Sequence, residues 1–419
     1  MEKRLVVVTG MGIVSPFGCG VSKFWNSIIE GKSGIKTITR ISHEGHLCTI
    51  AGEITDFEKE VEEKQLLDPK DMKRMDRYTQ FACVAADEAY KDSGLDMTKE
   101  DPYRVGVIVG SGVGGFDTFE KQHIAIINRG PAKCSPFTIP MLIANMAAGR
   151  ISMRIGAKGV NKSIVTACAT SAHCLGDAFR SIQFNDADII VAGGSEAVIT
   201  KIGIGAFTSA RTLSRRNDAP EKASRPYDID RDGFVMGEGG ACLILEELEH
   251  AKKRGAKIYA EIVGYGQTAD AYDMVAPDPT GAGAQKSMEL AVENAGITPD
   301  KVGYINAHGT STHLGDIAES KAIANIFGDL STNKNLLVSS TKSMHGHMLG
   351  ATGAAEAIVC VKVITDGVVP PTINLDNQDP EVANLNYVPN KAVKAKVDYA
   401  LSNSFGFSGH NASILFKRY

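Results

Sequence analysis

The stretch Lys162-Ser-Ile-Val-Thr-Ala-Cys168-Ala-Thr-Ser-Ala-His-Cys-Leu175 decides how the rest of the chain reads. Residues 163–166 are β-rich and predict a strand; Ala172, Leu175, Phe179 and Ile182 then recur at three- and four-residue spacing and predict a helix. Cys168 sits at the turn between them. A thiol there feels the positive end of the helix dipole and unpaired backbone N–H groups, which favour the nucleophilic thiolate.

The same grammar extends in both directions. Strands are predicted over 5–9, 105–109, 188–192 and 241–246, then over 259–264, 302–306, 336–339, 399–403 and 413–417. Helices are predicted over 78–90, 172–182, 285–294, 317–327 and 353–364, with stops at Ser93-Gly94, Asn294-Ala-Gly296 and Asp366-Gly367. Strands alternating with amphipathic helices define an α/β chain. The two parts share a plan, and a short helix over 246–253 separates them, so the halves are 1–255 and 256–419. The basic stretch 211–231 reads as a long surface excursion.

Composition narrows the classes. The 419 residues are 43% hydrophobic and 22% charged, with a net charge of −4, as in ordinary globular proteins. No block of like charge suggests nucleic acid or an anionic membrane as partner, and no apolar run approaches the roughly 18 residues of a membrane span. Eight cysteines with no C-x-x-C pair read as small buried hydrophobes of a reducing, cytoplasmic compartment.

Glycine-rich loops offer decoys. Gly110-Ser-Gly112-Val-Gly114-Gly115 follows a predicted strand and satisfies the dinucleotide fingerprint of a nicotinamide dehydrogenase. That motif needs an acid about 20 residues on to hold the ribose, and residues 121–140 contain neither Asp nor Glu. Thr9-Gly-Met-Gly12 lacks the third glycine, and Gly31-Lys-Ser33 has Asn26 where a phosphate-binding loop needs its first glycine. Tight turns are the better reading, and no cofactor is assigned.

Histidines supply the second clue. His308 ends a predicted strand in Asn306-Ala-His-Gly-Thr-Ser-Thr312, and His345 and His347 lie in Ser339-Ser-Thr-Lys-Ser-Met-His-Gly-His347. Ligands of open α/β sheets gather beyond the carboxyl ends of strands. Cys168, His308, Lys342, His347 and the loop of Phe405 and Phe407 all fall at such ends. Zinc held by His308, His313, His345 and His347 with Cys168 is one reading, but these histidines sit in glycine-rich turns rather than paired on one regular element. Covalent acyl transfer from a cysteine with two histidines is preferred, with no metal.

The motifs around Cys168, His308, Lys342–His347 and Asn403-Ser-Phe-Gly-Phe407 closely resemble the beta-ketoacyl-acyl-carrier-protein synthases, of the elongating synthase II type in fatty acid synthesis. The likeness runs from Val6-Val-Val-Thr-Gly-Met-Gly-Ile-Val-Ser-Pro16 to the C-terminus. It implies the thiolase-like fold, two duplicated βαβαβ halves in five αβαβα layers, and a homodimer. It implies that Cys168 takes the acyl chain from acyl carrier protein, and that His308 and His347 assist decarboxylation of malonyl-carrier protein. Lys342 becomes the active-site lysine and Glu319 its acidic partner. Backbone N–H groups of Cys168 and Phe407 form the oxyanion hole, and Phe407 is a gate. Phe207 and Phe405 would line the acyl pocket, Thr310 and Thr312 would touch pantetheine, and Lys73, Arg74 and Arg211 would dock the acidic carrier. Val275, His345, Ser408 and His410 depart from the family pattern and bear on chain length and gating. A polyketide ketosynthase shares this chemistry, and the dehydrogenase is the alternative of another class.

Overall fold

The computed structural model describes residues 3–419. Ten strands carry the architecture. The first half contributes β1 (Val6–Ser15), β2 (Val105–Gly110), β3 (Asn161–Lys162), β4 (Ile189–Glu196) and β5 (Gly239–Glu247). The second contributes β6 (Ala260–Ala269), β7 (Tyr304–Asn306), β8 (Leu337–Ser339), β9 (Tyr399–Gly406) and β10 (His410–Lys417). Their spatial order is β3-β2-β4-β5-β1 in one half and β8-β7-β9-β10-β6 in the other. Strand directions repeat too: β2 runs parallel to β3 and β4, while β5 is antiparallel to β4 and β1. Correspondingly, β7 runs parallel to β8 and β9, while β10 is antiparallel to β9 and β6. The halves join where Val6–Val8 of β1 pair with Ala260–Ile262 of β6.

Alternation of side chains across the strands produces the layers. Ile189, Val191, Cys242 and Ile244 face one outer layer that includes helix α1 (Arg77–Ser93). Ile190, Ala192, Leu243 and Leu245 face a central layer made by α2 (Thr170–Gln183) and α5 (Thr352–Asp366). Ala400, Ala412 and Ile414 close that central layer from the second half. Leu401 and Leu415 face the other outer layer, built on α3 (Ala282–Ala295) and α4 (His313–Phe327).

Glycines set the spacing of both outer layers. A Cβ at Gly10 would lie 2.2 Å from Ala89 O and one at Gly12 2.0 Å from Ala85 O, both on α1. At the matching places on β6, Gly264 and Gly266 would meet Ala291 O at 2.0 Å and Ser287 O at 1.9 Å on α3. Thr9-Gly-Met-Gly12 is thus a seat for a helix, repeated in the second half.

Three expectations change. Residues 163–166 are not a strand, because only Asn161 and Lys162 pair, with Val107 and Ile108. Among the described residues no strand pairs with the outer edge of β3, and Thr166 gives its N–H to Thr170 Oγ1 at 2.9 Å instead. The short helix between the halves is Leu248–Lys253, since Glu246 and Glu247 finish β5 and Glu247 caps His250 N. Residues 211–231 are not wholly a surface excursion: Arg225 pairs with Asp228, and Arg231 with Asp316 and Asp379, inside the fold.

Candidate active site

Cys168 lies in the 3-10 turn Ala167–Ala169 just ahead of α2, His308 follows β7, and His347 follows the short helix Lys342–His345 ahead of α5. Repetition of the fold brings the turn of Cys168 (Ala167–Ala169) and the turn that follows His347 (Leu349–Ala351) to matching positions ahead of the two central helices. All three line one cavity of about 490 Å³, together with Phe207, Phe405, Phe407, Thr310, Thr312, Glu319 and Arg211.

The cysteine is almost wholly enclosed, and the backbone at Gly406 and Phe407 closes on its turn. Gly406 allows that approach, since a Cβ there would lie 3.1 Å from Cys168 N. Burial pushes the Cys168 thiol up to about 12, against the N–H of Phe407 and the charge of Lys342, which pull it down. The expected resting thiolate is therefore corrected: desolvation outweighs the turn's dipole.

The two imidazole rings stand 5.4 Å apart, edge to face. Burial, then the Lys342 charge, holds both well below the usual histidine range, so both are neutral. His347 Nδ1 meets Thr352 Oγ1 at 3.1 Å, and its Nε2 has no partner among the described residues. When the Thr352 hydroxyl donates, the ring proton sits on Nε2. His308 is fixed through its backbone, as His308 N and Gly309 N donate to Glu319 at 2.8 and 2.7 Å.

Those bonds revise the role expected of Glu319. The ion-pair partner of Lys342 is Glu356, at 2.5 Å, whereas Glu319 also accepts from Asn403 and anchors the His308 turn to α4. Lys342 stands behind the histidines and does not line the cavity. Sequence reasoning missed Glu356, although it is the lone acid within the apolar run of α5 before Lys362.

Phe207 packs 6.2 Å from Phe407, and Phe405 lies 5.7 Å from His308. Thr310 and Thr312 share a hydroxyl contact of 3.0 Å at the wall. Lys73 and Arg74 lie away from the cavity; Arg74 is exposed and stacks over Phe137. Val275 lies at the mouth. His345 turns into the core against Phe24 and bonds Thr341, and burial pushes it down to about 3. His410 faces His173, not Cys168.

The zinc reading fails on this geometry: His345 is turned away, and among the described residues no three His, Cys, Asp or Glu side chains converge as a metal site. The dinucleotide fingerprint fails as well. The N–H groups of Gly112 and Val113, where a phosphate would sit, are taken by the carboxylate of Glu196 at 2.8 and 3.1 Å.

A cysteine and two neutral histidines at the strand ends of a duplicated α/β fold define a thiolase-like condensing enzyme. The chain belongs to the beta-ketoacyl synthase family: residues 3–251 match the beta-ketoacyl synthase N-terminal domain and residues 259–376 the C-terminal domain. Among its relatives is a protein of Coxiella burnetii, 51% identical over 100% of this chain and 99% of that one, named 3-oxoacyl-(acyl-carrier-protein) synthase 2. One from Synechocystis with the same name is 48% identical over 100% and 99%. A solved type II PKS acyl-carrier protein in complex with its ketosynthase superposes with a TM-score of 0.90 at 34% identity, covering 100% of both chains.

Proposed function

We propose that this chain is a 3-oxoacyl-(acyl-carrier-protein) synthase that elongates fatty acids by two carbons. The observation that carries the reading is the convergence of Cys168, His308 and His347 on one cavity. Relatives about half identical over the whole chain and named for this reaction support it.

The thiol of Cys168 attacks the thioester of an acyl-carrier protein. The new oxyanion accepts hydrogen bonds from the N–H groups of Cys168 and Phe407, the C–S bond to the carrier's pantetheine breaks, and the thiol proton passes to the leaving sulfur. Because the resting group is a thiol, its proton leaves as attack proceeds, and the neutral imidazoles are the bases in the cavity. Malonyl-carrier protein then enters. Its C–C bond to the carboxylate breaks, carbon dioxide leaves, and the electron pair is held as an enolate. Nε2–H of His347 and the imidazole of His308 stabilise the enolate oxygen, an effect that such donors supply at about 2.7–4 kcal/mol each. The enolate carbon attacks the acyl-cysteine, the acyl C–S bond breaks, and Cys168 leaves as a thiolate that takes a proton back through the cavity imidazoles to become the resting thiol. Lys342 acts from behind the histidines, by charge.

Phe207 and Phe405 are placed on the acyl chain and Thr310 and Thr312 on pantetheine, with Phe407 as gate. Lys73, Arg74 and Arg211 are all exposed, which supports their role in docking an acidic carrier. A homodimer is supported by the edge of β3, which pairs with no further strand among the described residues, and by the exposed Ile139, Ile143 and Val165 beside it, where Ser163 Oγ reaches Ala144 O. We place the halves at 1–255 and 256–419, supported by the repeated strand order. A cytoplasmic setting is supported by eight free cysteines.

Incubation with acyl- and malonyl-carrier protein tests the reading. It predicts equal yields of carbon dioxide and 3-ketoacyl-carrier protein; a polyketide ketosynthase would iterate to a poly-β-keto chain, and no condensation at all would refute the assignment.

A further inference from the structure

Glu196 ends β4 with its side chain fully enclosed, and four donors converge on it. Ser111 Oγ and Val113 N bind Oε1 at 2.7 and 3.1 Å, while Gly112 N and Gly350 N bind Oε2 at 2.8 and 3.0 Å. Three donors come from the turn after β2 and one from the turn after His347. The turn before Cys168 closes on the same point, since a Cβ at Gly112 would lie 2.7 Å from Glu196 Oε2 and 3.5 Å from Ala167 O. A Cβ at Gly350 would lie 2.7 Å from Oε2.

Two residues flanking this carboxylate hold a conformation that side chains other than glycine rarely adopt. Ala167, just before Cys168, has φ +50°, and Leu349, two residues after His347, has φ +46°. Such strain persists only where the surroundings fix it. Burial pushes the Glu196 carboxyl up, and the four hydrogen bonds pull against it toward the ionised form.

We propose that Glu196 is a positioning residue: an internal anion that fixes the turn of the nucleophile against the turn of His347. This rests on the condensing reading of the site. Burial of its charge beside Cys168 also works against the thiolate.

The test compares Glu196→Gln and Ser111→Ala with the wild type. An amide turns NH2 toward at least one N–H donor, and displacement of a reacting group by about 1 Å costs on the order of 100-fold in rate. Glu196→Gln is expected to lose about 100-fold in kcat while KM for the acyl-carrier protein stays within about threefold. Its iodoacetamide alkylation profile at Cys168 moves to lower pH, because a negative charge has gone. Ser111→Ala keeps that charge, so it loses several-fold in kcat with no shift in the alkylation profile. Wild-type kcat in a folded Glu196→Gln, or a loss confined to KM, overturns the proposal. Should Glu196→Gln not fold, wild-type kcat in Ser111→Ala overturns it. If the wild type itself does not condense, the functional reading is what fails, and the alkylation shift still tests where the charge of Glu196 acts.

Discussion

Lys342 Nζ lies 2.5 Å from Glu356 Oε1, and neither side chain reaches solvent. The pair ties the short helix carrying Lys342 to α5, directly behind the two cavity histidines. Burial pushes the Glu356 carboxyl up to about 8, and Lys342 pulls the other way without overcoming it.

Removing the lysine is therefore expected to act twice. Lys342→Ala loses roughly 3–5 kcal/mol of stability in denaturant unfolding, less what protonation of Glu356 recovers. The positive charge also helps hold His308 and His347 low, so both titrate at higher pH in the variant, as histidine NMR will read. Unmoved imidazole titrations would show that the lysine does not act on them.

The half-reactions separate the cavity residues. His308→Ala and His347→Ala are each expected to retain acylation of Cys168 through the remaining imidazole base, while losing about 100-fold or more in carbon dioxide release from malonyl-carrier protein. Release at the wild-type rate in either variant would remove that histidine from the step.

The paired glycine seats give a test of the duplication. Gly12→Ala and Gly266→Ala each drive a methyl into a helix carbonyl, at 2.0 and 1.9 Å, so each is expected to cost about 3 kcal/mol or more. Thermal unfolding and soluble yield measure it. A matched loss at the two sites is predicted, and an unchanged Tm at either would contradict the packing.

Alkaline behaviour follows from the buried thiol. With Cys168 raised from 9.0 to about 12, the thiolate fraction of the free protein rises about tenfold per pH unit between 7 and 9. Iodoacetamide alkylation should climb without a plateau there, whereas a plateau near pH 7 would mean a resting thiolate. By linkage, the protonated thiol stabilises the fold below about pH 9 and that contribution is lost toward pH 12.

Much of this was legible in the sequence because strand ends and helix starts carry local signals. Gly94, Gly296 and Gly367 end α1, α3 and α5 in the left-handed conformation, as their positions suggested. His308 and His347 were visible because each imidazole follows a predicted strand, and Cys168 because it stands just ahead of a predicted helix, although the strand expected before it does not form. What escaped were long-range pairings. Nothing local distinguishes Glu356 from Glu319 as the mate of Lys342, since the choice depends on how two helices meet across the central layer. The thiol's protonation state escaped for the same reason: the dipole is local, but burial comes from Phe407 and the second half closing over Cys168. Glu196 carried a weak signal, an acid at the carboxyl end of a buried strand in Gly193-Gly-Ser-Glu196.

The most direct measurement is the intact mass of the protein after incubation with an acyl-carrier protein thioester, followed by digestion to locate the adduct. An acyl increment on Cys168, absent in Cys168→Ala, is the predicted result. An unmodified Cys168 with a folded protein and a competent carrier, or an adduct on any other residue, would contradict the covalent mechanism.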